Sequence, residues 1–343
     1  DELRKKIDNI LLGFTFAGEP FTTKDLGVTG AITALLKDAI QPNLVQTLEG
    51  TPAMIHGGPF ANIAHGCNSL MATKTALQFG DYVVTEAGFA TDLGAEKFFN
   101  IKCRKAGLQP AMSVLVATSQ ALKLSGGADA KTMMLPDMAV LAKGVRNLEK
   151  HISILKSFKQ KVLVVLNRYQ FDTVEEITWL RNWCAEKDVA FAVNDGFTNG
   201  GEGALEMAQA VVDICENPSP PIQYTYELSD DIETKIRKIA TTIYGATDVV
   251  LYKKAQDMIK KIKTLGLEQL PVCMAKTQYS FTHDPTKSGL DGDFKIDVDD
   301  LVINQGAGFI VAVCGEMVRM PGLPKIPQAN NIDVVDGKII GVS

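Results

Sequence analysis

Several short segments of this sequence combine residue types that can hold or transform a ligand. Gly57–Ser69 (GGPFANIAHGCNS) sets two glycines and a proline in a tight turn before an Ala/Asn/His stretch that opens a helix. Backbone N–H groups exposed at such a start suit phosphate or a nucleotide, although a plain strand–helix turn has the same composition. Thr85–Lys97 (TEAGFATDLGAEK) directly follows an apolar run, which puts it at the carboxyl edge of a sheet, where open α/β proteins bind ligands. Its acids Glu86 and Asp92 have no basic partner nearby in sequence and fit either a magnesium ion or solvated caps. Asn167–Thr173 (NRYQFDT) carries Tyr169 and Phe171 just past another apolar run, placed to stack on a flat ligand or to pack beneath the next helix. Asp195–Ala204 (DGFTNGGEGA) is a glycine-rich loop with one aromatic, Phe197, and matches neither GxxxxGK[ST] nor GxGxxG. Two aromatics on two successive strand-end loops can face each other across one slot for a flat heteroaromatic ligand. In Pro271–Ser280 (PVCMAKTQYS), Lys276 beside Thr277 and Ser280 reads as a handle for an anion or as a solvated surface lysine. The glycines of Gln305–Gly308 suit close backbone packing.

These segments need strands and helices to position them. Nearly continuous apolar runs at Tyr82–Thr85, Ser113–Ala117, Val162–Leu166, Ala190–Val193 and Phe309–Val313 are what parallel strands buried on both faces require. Helical stretches alternate with them, at Asn62–Gln78, Ala95–Ala106, Val140–Phe158, Val174–Lys187, Leu205–Cys215 and Asp231–Tyr244. In the fourth of these, Ile177, Leu180, Trp183 and Cys184 recur at three and four residues and make one apolar face. The plan is α/β, with open, mostly parallel sheets and crossover helices. Gly126–Ala130 reads as a Gly/Ala-rich loop after a strand, and Asn217–Pro221 (NPSPP) as a turn or linker. A polar, Asp-rich hairpin region is expected around Asp291–Asp300, ahead of the proline-punctuated Met320–Pro327.

Composition narrows the function classes. With 343 residues, 46% apolar and 22% charged, the chain has the make-up of a globular protein of two or three domains. Net charge is −5 and no basic run stands out, which argues against nucleic acid as a partner. The longest formally uncharged stretch, Gly50–Thr73, is broken by Gly57, Gly58, Pro59, Asn62 and two histidines and does not suit a bilayer. No basic, then apolar, leader opens the chain. The six cysteines form no CxxC pair and the four histidines no cluster, so the thiols read as reduced, in a cytosolic protein without a structural metal. Because the chain opens on Asp1, a processed product or a fragment is expected.

Taken in order and spacing, TPAMIHGGPFANIAHGCNSLMATKTAL, TEAGFATDLGAEKFFNIKCR, GGEG, LPVCMAKTQYS, GAGFIV and MPGLPKIP resemble the formate–tetrahydrofolate ligase family. The resemblance covers the chain from about Asp25 to its C-terminus. It implies a multi-domain, P-loop NTPase-like α/β architecture, with residues 1–138 the C-terminal portion of a nucleotide-binding domain, 139–245 a folate-binding α/β domain and 246–343 a C-terminal α/β domain. It implies ligation of formate to N10 of tetrahydrofolate through formyl phosphate, with ATP and Mg2+, a monovalent cation, and a cytoplasmic homotetramer.

Carried over position by position, the resemblance assigns the pterin clamp to Tyr169 and Phe197, with Gln170 and Val193 beside them, and the nucleotide wall to Phe60, Ala61 and Asn62. Tyr169 stands for the usual Phe, Gln170 for the usual Pro and Phe197 for the usual Trp. Ala90-Thr91 replaces Gly-Ala, Gln120 an Arg and Ser125 a His. The family's GxxxxGK[ST] loop and the arginine that holds formyl phosphate have no counterpart here: Gly337-Lys338 is the one Gly-Lys pair, followed by Ile339. The phosphate-loop lysine and that arginine are therefore expected outside this chain. The alternative is a non-catalytic folate-binding or scaffold module. A dinucleotide-dependent oxidoreductase is disfavoured by the lack of GxGxxG. The 343-residue chain alone is expected to make no formyl-tetrahydrofolate from formate and ATP. Turnover by the purified chain, free of any longer contaminant, would show that other residues grip the phosphates.

Overall fold

The computed structural model describes residues 1–61, 63–315, 317, 330, 332–335 and 338–340. Its strands are Leu11–Phe14 (β1), Pro20–Thr22 (β2), Asn43–Gln46 (β3), Pro52–Ile55 (β4), Ser113–Ala117 (β5), Val162–Asn167 (β6) and Ala190–Asn194 (β7). They continue with Asp248–Leu251 (β8), Val272–Ala275 (β9), Lys295–Val298 (β10), Asp300–Asn304 (β11), Phe309–Val313 (β12), Asp333–Val335 (β13) and Lys338–Ile340 (β14). β5, β6 and β7 form a parallel sheet with β6 in the middle, where Val162–Leu166 are buried throughout. A second sheet runs β11–β12–β9, with β12 parallel to β9 and antiparallel to β11. β8 and β10 pair in parallel, while β1–β2, β3–β4 and β13–β14 are antiparallel ribbons. The class is α/β with several parallel sheets, as the apolar runs imply.

Parallel neighbours need crossovers, and helices supply them. Ser119–Ser125 and Met138–Ser157 connect β5 to β6, and Val174–Glu186 connects β6 to β7. Asp137 starts the longest helix by accepting from the Val140 N–H at 2.9 Å. That helix buries Leu141, Val145, Leu148, Ile152 and Leu155 in a main core that runs from Cys67 to Cys314. Within it Phe99 stacks on Phe158, with ring centroids 4.6 Å apart. Cys67, Cys103, Cys184, Cys273 and Cys314 are buried, and Cys215 is half-buried. Burial pushes the thiols of Cys67, Cys103, Cys184 and Cys314 up to about 12, and that of Cys273 to about 11. No helix among the described residues is long and apolar enough to cross a membrane.

Some elements differ from expectation. Tyr82–Thr85 is no strand: Tyr82 and Val84 are exposed, and no strand pairs with them among the described residues. Within Asn62–Gln78 the helix is confined to Leu70–Ala76, because Ser69 caps it by accepting from the Ala72 N–H. Around the Ala95–Ala106 segment the chain is π-helical over Ala90–Ala95 and Phe98–Cys103, and α-helical at Glu96, Lys97 and Arg104–Ala106. Gly126–Ala130 follows a helix rather than a strand. In the Asp291–Asp300 region, β10 pairs with β8; the hairpin is β11–β12, turned by Gln305–Gly308. Asn217–Pro221 is irregular but strapped down, with Ser219 accepting from the Lys161 N–H at 3.0 Å and donating to the Ala111 carbonyl at 2.8 Å.

Gly126 and Gly144 explain the close crossing of the two helices between β5 and β6. A Cβ on Gly144 would lie 1.8 Å from the Leu122 carbonyl oxygen, and one on Gly126 would lie 2.0 Å from that of Val140. In an exposed helix, Gly→Ala is worth about 1 kcal/mol in favour of alanine. Here Gly144→Ala is expected to reverse that sign and destabilise by about 1–3 kcal/mol, as backbone gives way to the methyl group. A thermal midpoint at or above that of the parent chain would refute this account of the crossing.

Candidate functional site

β6 and β7 deliver two loops to one sheet edge. Asn167 and Asn194 are register partners at their carboxyl ends, joined by a side-chain bond of 2.8 Å, and the Arg168 N–H donates to the Asn194 carbonyl at 2.9 Å. Beyond β6, the Tyr169 N–H donates to the Asp172 carboxylate at 2.8 Å, and Ser119 donates to its other oxygen. Thr173 and Glu176 then close a capping box on the Val174–Glu186 helix. Buried Glu176 also receives Lys123 at 3.0 Å, a fully buried ion pair beneath the loop. Tyr169 is thus held on a braced turn, 45% exposed, with Phe171 stacked on it at 5.6 Å and 10°. Gln170 is exposed and Val193 half-buried.

Beyond β7, the single helical turn Gly196–Asn199 carries Phe197, whose ring is fully exposed at 102%. The Asp195 N–H donates to the Gly203 carbonyl at 2.9 Å and closes the loop on itself. The structure thus brings Tyr169, Gln170, Val193 and Phe197 to the ends of neighbouring strands. The ring stacked on Tyr169 is that of Phe171, so Tyr169 keeps one face for a ligand, while both faces of Phe197 are open.

Phe60 and Ala61 lie elsewhere, and Asn62 lies outside the described residues. Phe60 is 53% exposed, whereas Ala61 is buried and its carbonyl accepts from the fully buried Lys97 ammonium. Glycines let the two flanking loops meet there: a Cβ on Gly66 would stand 2.3 Å from the Ala61 Cβ, and one on Gly88 would stand 2.9 Å from it. The turn around Phe60 and the Thr85–Lys97 segment are therefore packed together.

Sequence reasoning misread one of the two acids, Asp92, and the lysine here. Asp92 is neither a cap nor free for magnesium, and Lys276 is neither an anion handle nor a surface lysine. They form a buried ion pair at 2.8 Å. Lys276 also donates to the Thr277 carbonyl at 3.0 Å and to that of Ser280, and lies 5.0 Å from the Tyr244 ring centroid. Next to Asp92, Thr91 bonds the His151 ring at 2.7 Å. Ala90 sits at φ 48°, a left-handed conformation that costs a side chain about 1–2 kcal/mol; the resemblance expects glycine there. Glu86 is exposed, as is Ser125, which donates back to the Ala121 carbonyl, while Gln120 is half-buried. A sequence signal for the ion pair was present but weak: a lysine directly after the apolar run of β9 is placed inside rather than outside.

The chain is thus an α/β protein with two aromatic strand-end loops at one sheet edge and a glycine-packed turn beside a buried ion pair. The family model described as formate–tetrahydrofolate ligase matches residues 1–343, and the chain belongs to that family. It is 57% identical to the formate–tetrahydrofolate ligase of Bacteroides thetaiotaomicron, over all of this chain and 62% of that protein. The corresponding figures are 56%, all and 62% for that of Parabacteroides distasonis, and 51%, all and 62% for that of Campylobacter concisus. The chain thus spans 62% of the length of these relatives.

Glu96 is a carboxyl group that this architecture strongly alters. It is fully buried, its Oε1 accepts from Asn100 at 2.8 Å and its Oε2 has no hydrogen-bond partner among the described residues. Burial above all raises its carboxyl from an ordinary 4.5 to about 7. Since the folded pKa is the higher one, the stability contributed by the neutral acid is complete below 4.5 and is lost as pH rises through about 7. Glu96→Gln, which keeps the shape without the charge, is expected to flatten the decline in unfolding free energy between about pH 5 and about pH 8. Denaturant titrations across that range test this; an unchanged slope in the variant would assign the decline to other groups.

Proposed function

We propose that this chain is the folate-holding portion of a ligase that uses ATP to join formate to N10 of tetrahydrofolate, by way of formyl phosphate. The observation that carries the reading is the pair of aromatic loops on β6 and β7, which offers stacking faces to a pterin at one sheet edge. Formate is a poor acylating agent, and phosphorylation turns one of its oxygens into a leaving group. The aryl amine N10 is a weak nucleophile, so its gain comes from being held beside the intermediate. In this reading Tyr169 and Phe197 bind the pterin, Gln170 and Val193 line its edge, and Phe60, Ala61 and Asn62 form one wall of the nucleotide site. Lys97 supports that wall from below by fixing the Ala61 carbonyl.

Among the described residues no group of three or more His, Cys, Asp or Glu converges to hold a metal. None of the roles above depends on one. The same reading places the protein in the cytoplasm as a homotetramer. Exposed apolar side chains such as Phe16, Leu35, Leu48 and Phe79 support the burial of this surface against further protein.

Because Phe197 is fully exposed, replacing it leaves the fold intact and isolates its effect on a ligand. In the full-length protein carrying this chain, Phe197→Ala is expected to raise the tetrahydrofolate constant about ten- to a hundredfold, the equivalent of ~1–3 kcal/mol of stacking. The ATP constant should move far less. Phe197→Trp should tighten folate or leave it unchanged. Weakening by both substitutions would mark a packing role, and an equal effect on ATP would exchange the two subsites.

A further inference from the structure

The β3–β4 ribbon stands apart from every sheet, and its tip reaches the loop that carries Phe197. Its strands pair from Asn43↔Ile55 to Gln46↔Pro52. The turn between them is well made, with Thr47 N–H to Thr51 carbonyl at 2.9 Å, Gly50 N–H to Thr47 carbonyl at 3.0 Å, and Gly50 at φ 83°. At its foot His56 bonds Ser69 at 2.7 Å and the Ala39 carbonyl at 2.9 Å. An isolated two-stranded ribbon is marginally stable in water, and all four β3 residues are exposed. A contact that fixes its free end therefore has structural weight.

That contact is Glu49. Its Oε1 accepts from the Gly201 N–H at 2.9 Å, across 152 residues of chain. The fit depends on two glycines. A Cβ on Gly200 would come within 2.8 Å of Glu49 Oε1, and Gly200 itself sits at φ 59°. A Cβ on Gly201 would meet three carboxylate atoms at 3.4–3.5 Å. The N–H that the GGEG turn could have offered to a phosphate is thus taken by a carboxylate of the same chain. The turn is tied in turn to Phe197, since Asp195 and Gly203 close the loop between them.

We infer that Glu49 is a positioning residue of the folate slot: from the tip of the ribbon it fixes the Gly200–Gly203 turn and, through it, the Phe197 ring. This rests on the reading of Phe197 as a pterin contact. The ribbon is a strap across one side of the slot, and a hydrogen bond to a charged acceptor is its clasp.

The test compares Glu49→Ala, Glu49→Gln and Phe197→Ala in the full-length protein, with KM for tetrahydrofolate, KM for ATP and kcat measured separately. Glu49→Ala is expected to raise the folate KM about tenfold, the size of one charge-assisted hydrogen bond, with kcat and the ATP constant within about twofold of the parent. Glu49→Gln keeps an acceptor oxygen in place and should restore the folate KM to within about threefold. If Phe197→Ala weakens folate while Glu49→Ala does not, the clasp is wrong and the slot stands. If Phe197→Ala has no effect, the slot reading itself fails. Equal losses in both KM values, or loss of kcat not rescued by glutamine, would make Glu49 a general support of the fold and overturn the inference.

Discussion

An ammonium group taken out of water must be met by a charge or by hydrogen-bond acceptors, and among its described residues this chain buries five. Lys97, Lys102, Lys123, Lys235 and Lys276 are all at or below 1% exposure. Lys276 meets Asp92 at 2.8 Å, and Lys123 meets Glu176 at 3.0 Å. Lys97 meets the Ala61 carbonyl, Lys102 the Thr73 hydroxyl at 2.9 Å, and Lys235 the carbonyls of Glu268 and Leu270 at 2.5 and 3.1 Å. Removing one member of such a buried pair leaves the other uncompensated and costs about 3–5 kcal/mol. Each lysine thus works from the core outward, its ammonium fixing a loop or helix above it. The loops that meet near Ala61, Asp92 and Ser280 are held from beneath in this way.

The β6–β7 edge is braced differently. There the supports are short-range: the Asp172 carboxylate on the Tyr169 N–H, the Thr173–Glu176 box, and the closure of Asp195 on Gly203. Such local bonds fix backbone while leaving rings uncovered. The consequence is visible in Phe197, which stands on an ordered turn with nothing packed on it. A large apolar ring on a fixed backbone is an unfavourable surface unless something flat covers it.

Local rules read the sheet well and the long-range pairs poorly. The runs that became β6 and β12 were legible because a strand buried on both faces must be apolar throughout; those of β5 and β7 share the composition, although β5 leaves Val114 and Val116 exposed and β7 leaves Ala190 exposed. Tyr82–Thr85 has the same composition but finds no partner strand among the described residues, and composition cannot report pairing. The π-helical turns at Ala90–Ala95 and Phe98–Cys103 were invisible because residue type does not mark a π-helix. Asp92 and Lys276 lie far apart in the chain, so each looked unpartnered. The aromatic loops were legible because ring, glycine and strand end lie within a few residues of each other. Glu49 was not, since its partner is a backbone N–H, which carries no side-chain signature.

The burial of sulfur in this core has a chemical corollary. A thiol held at about 11 or 12 exposes almost no thiolate at neutral pH, and the thiolate is the form that electrophiles and oxidants attack. Only half-buried Cys215, at the end of its helix, meets solvent in the native chain. The other sulfurs react only when the layer above them lifts, and alkylation then prevents that layer from closing again. The folded chain is in this sense self-protecting, with its oxidative lifetime set by how often its helices part rather than by how many cysteines it contains.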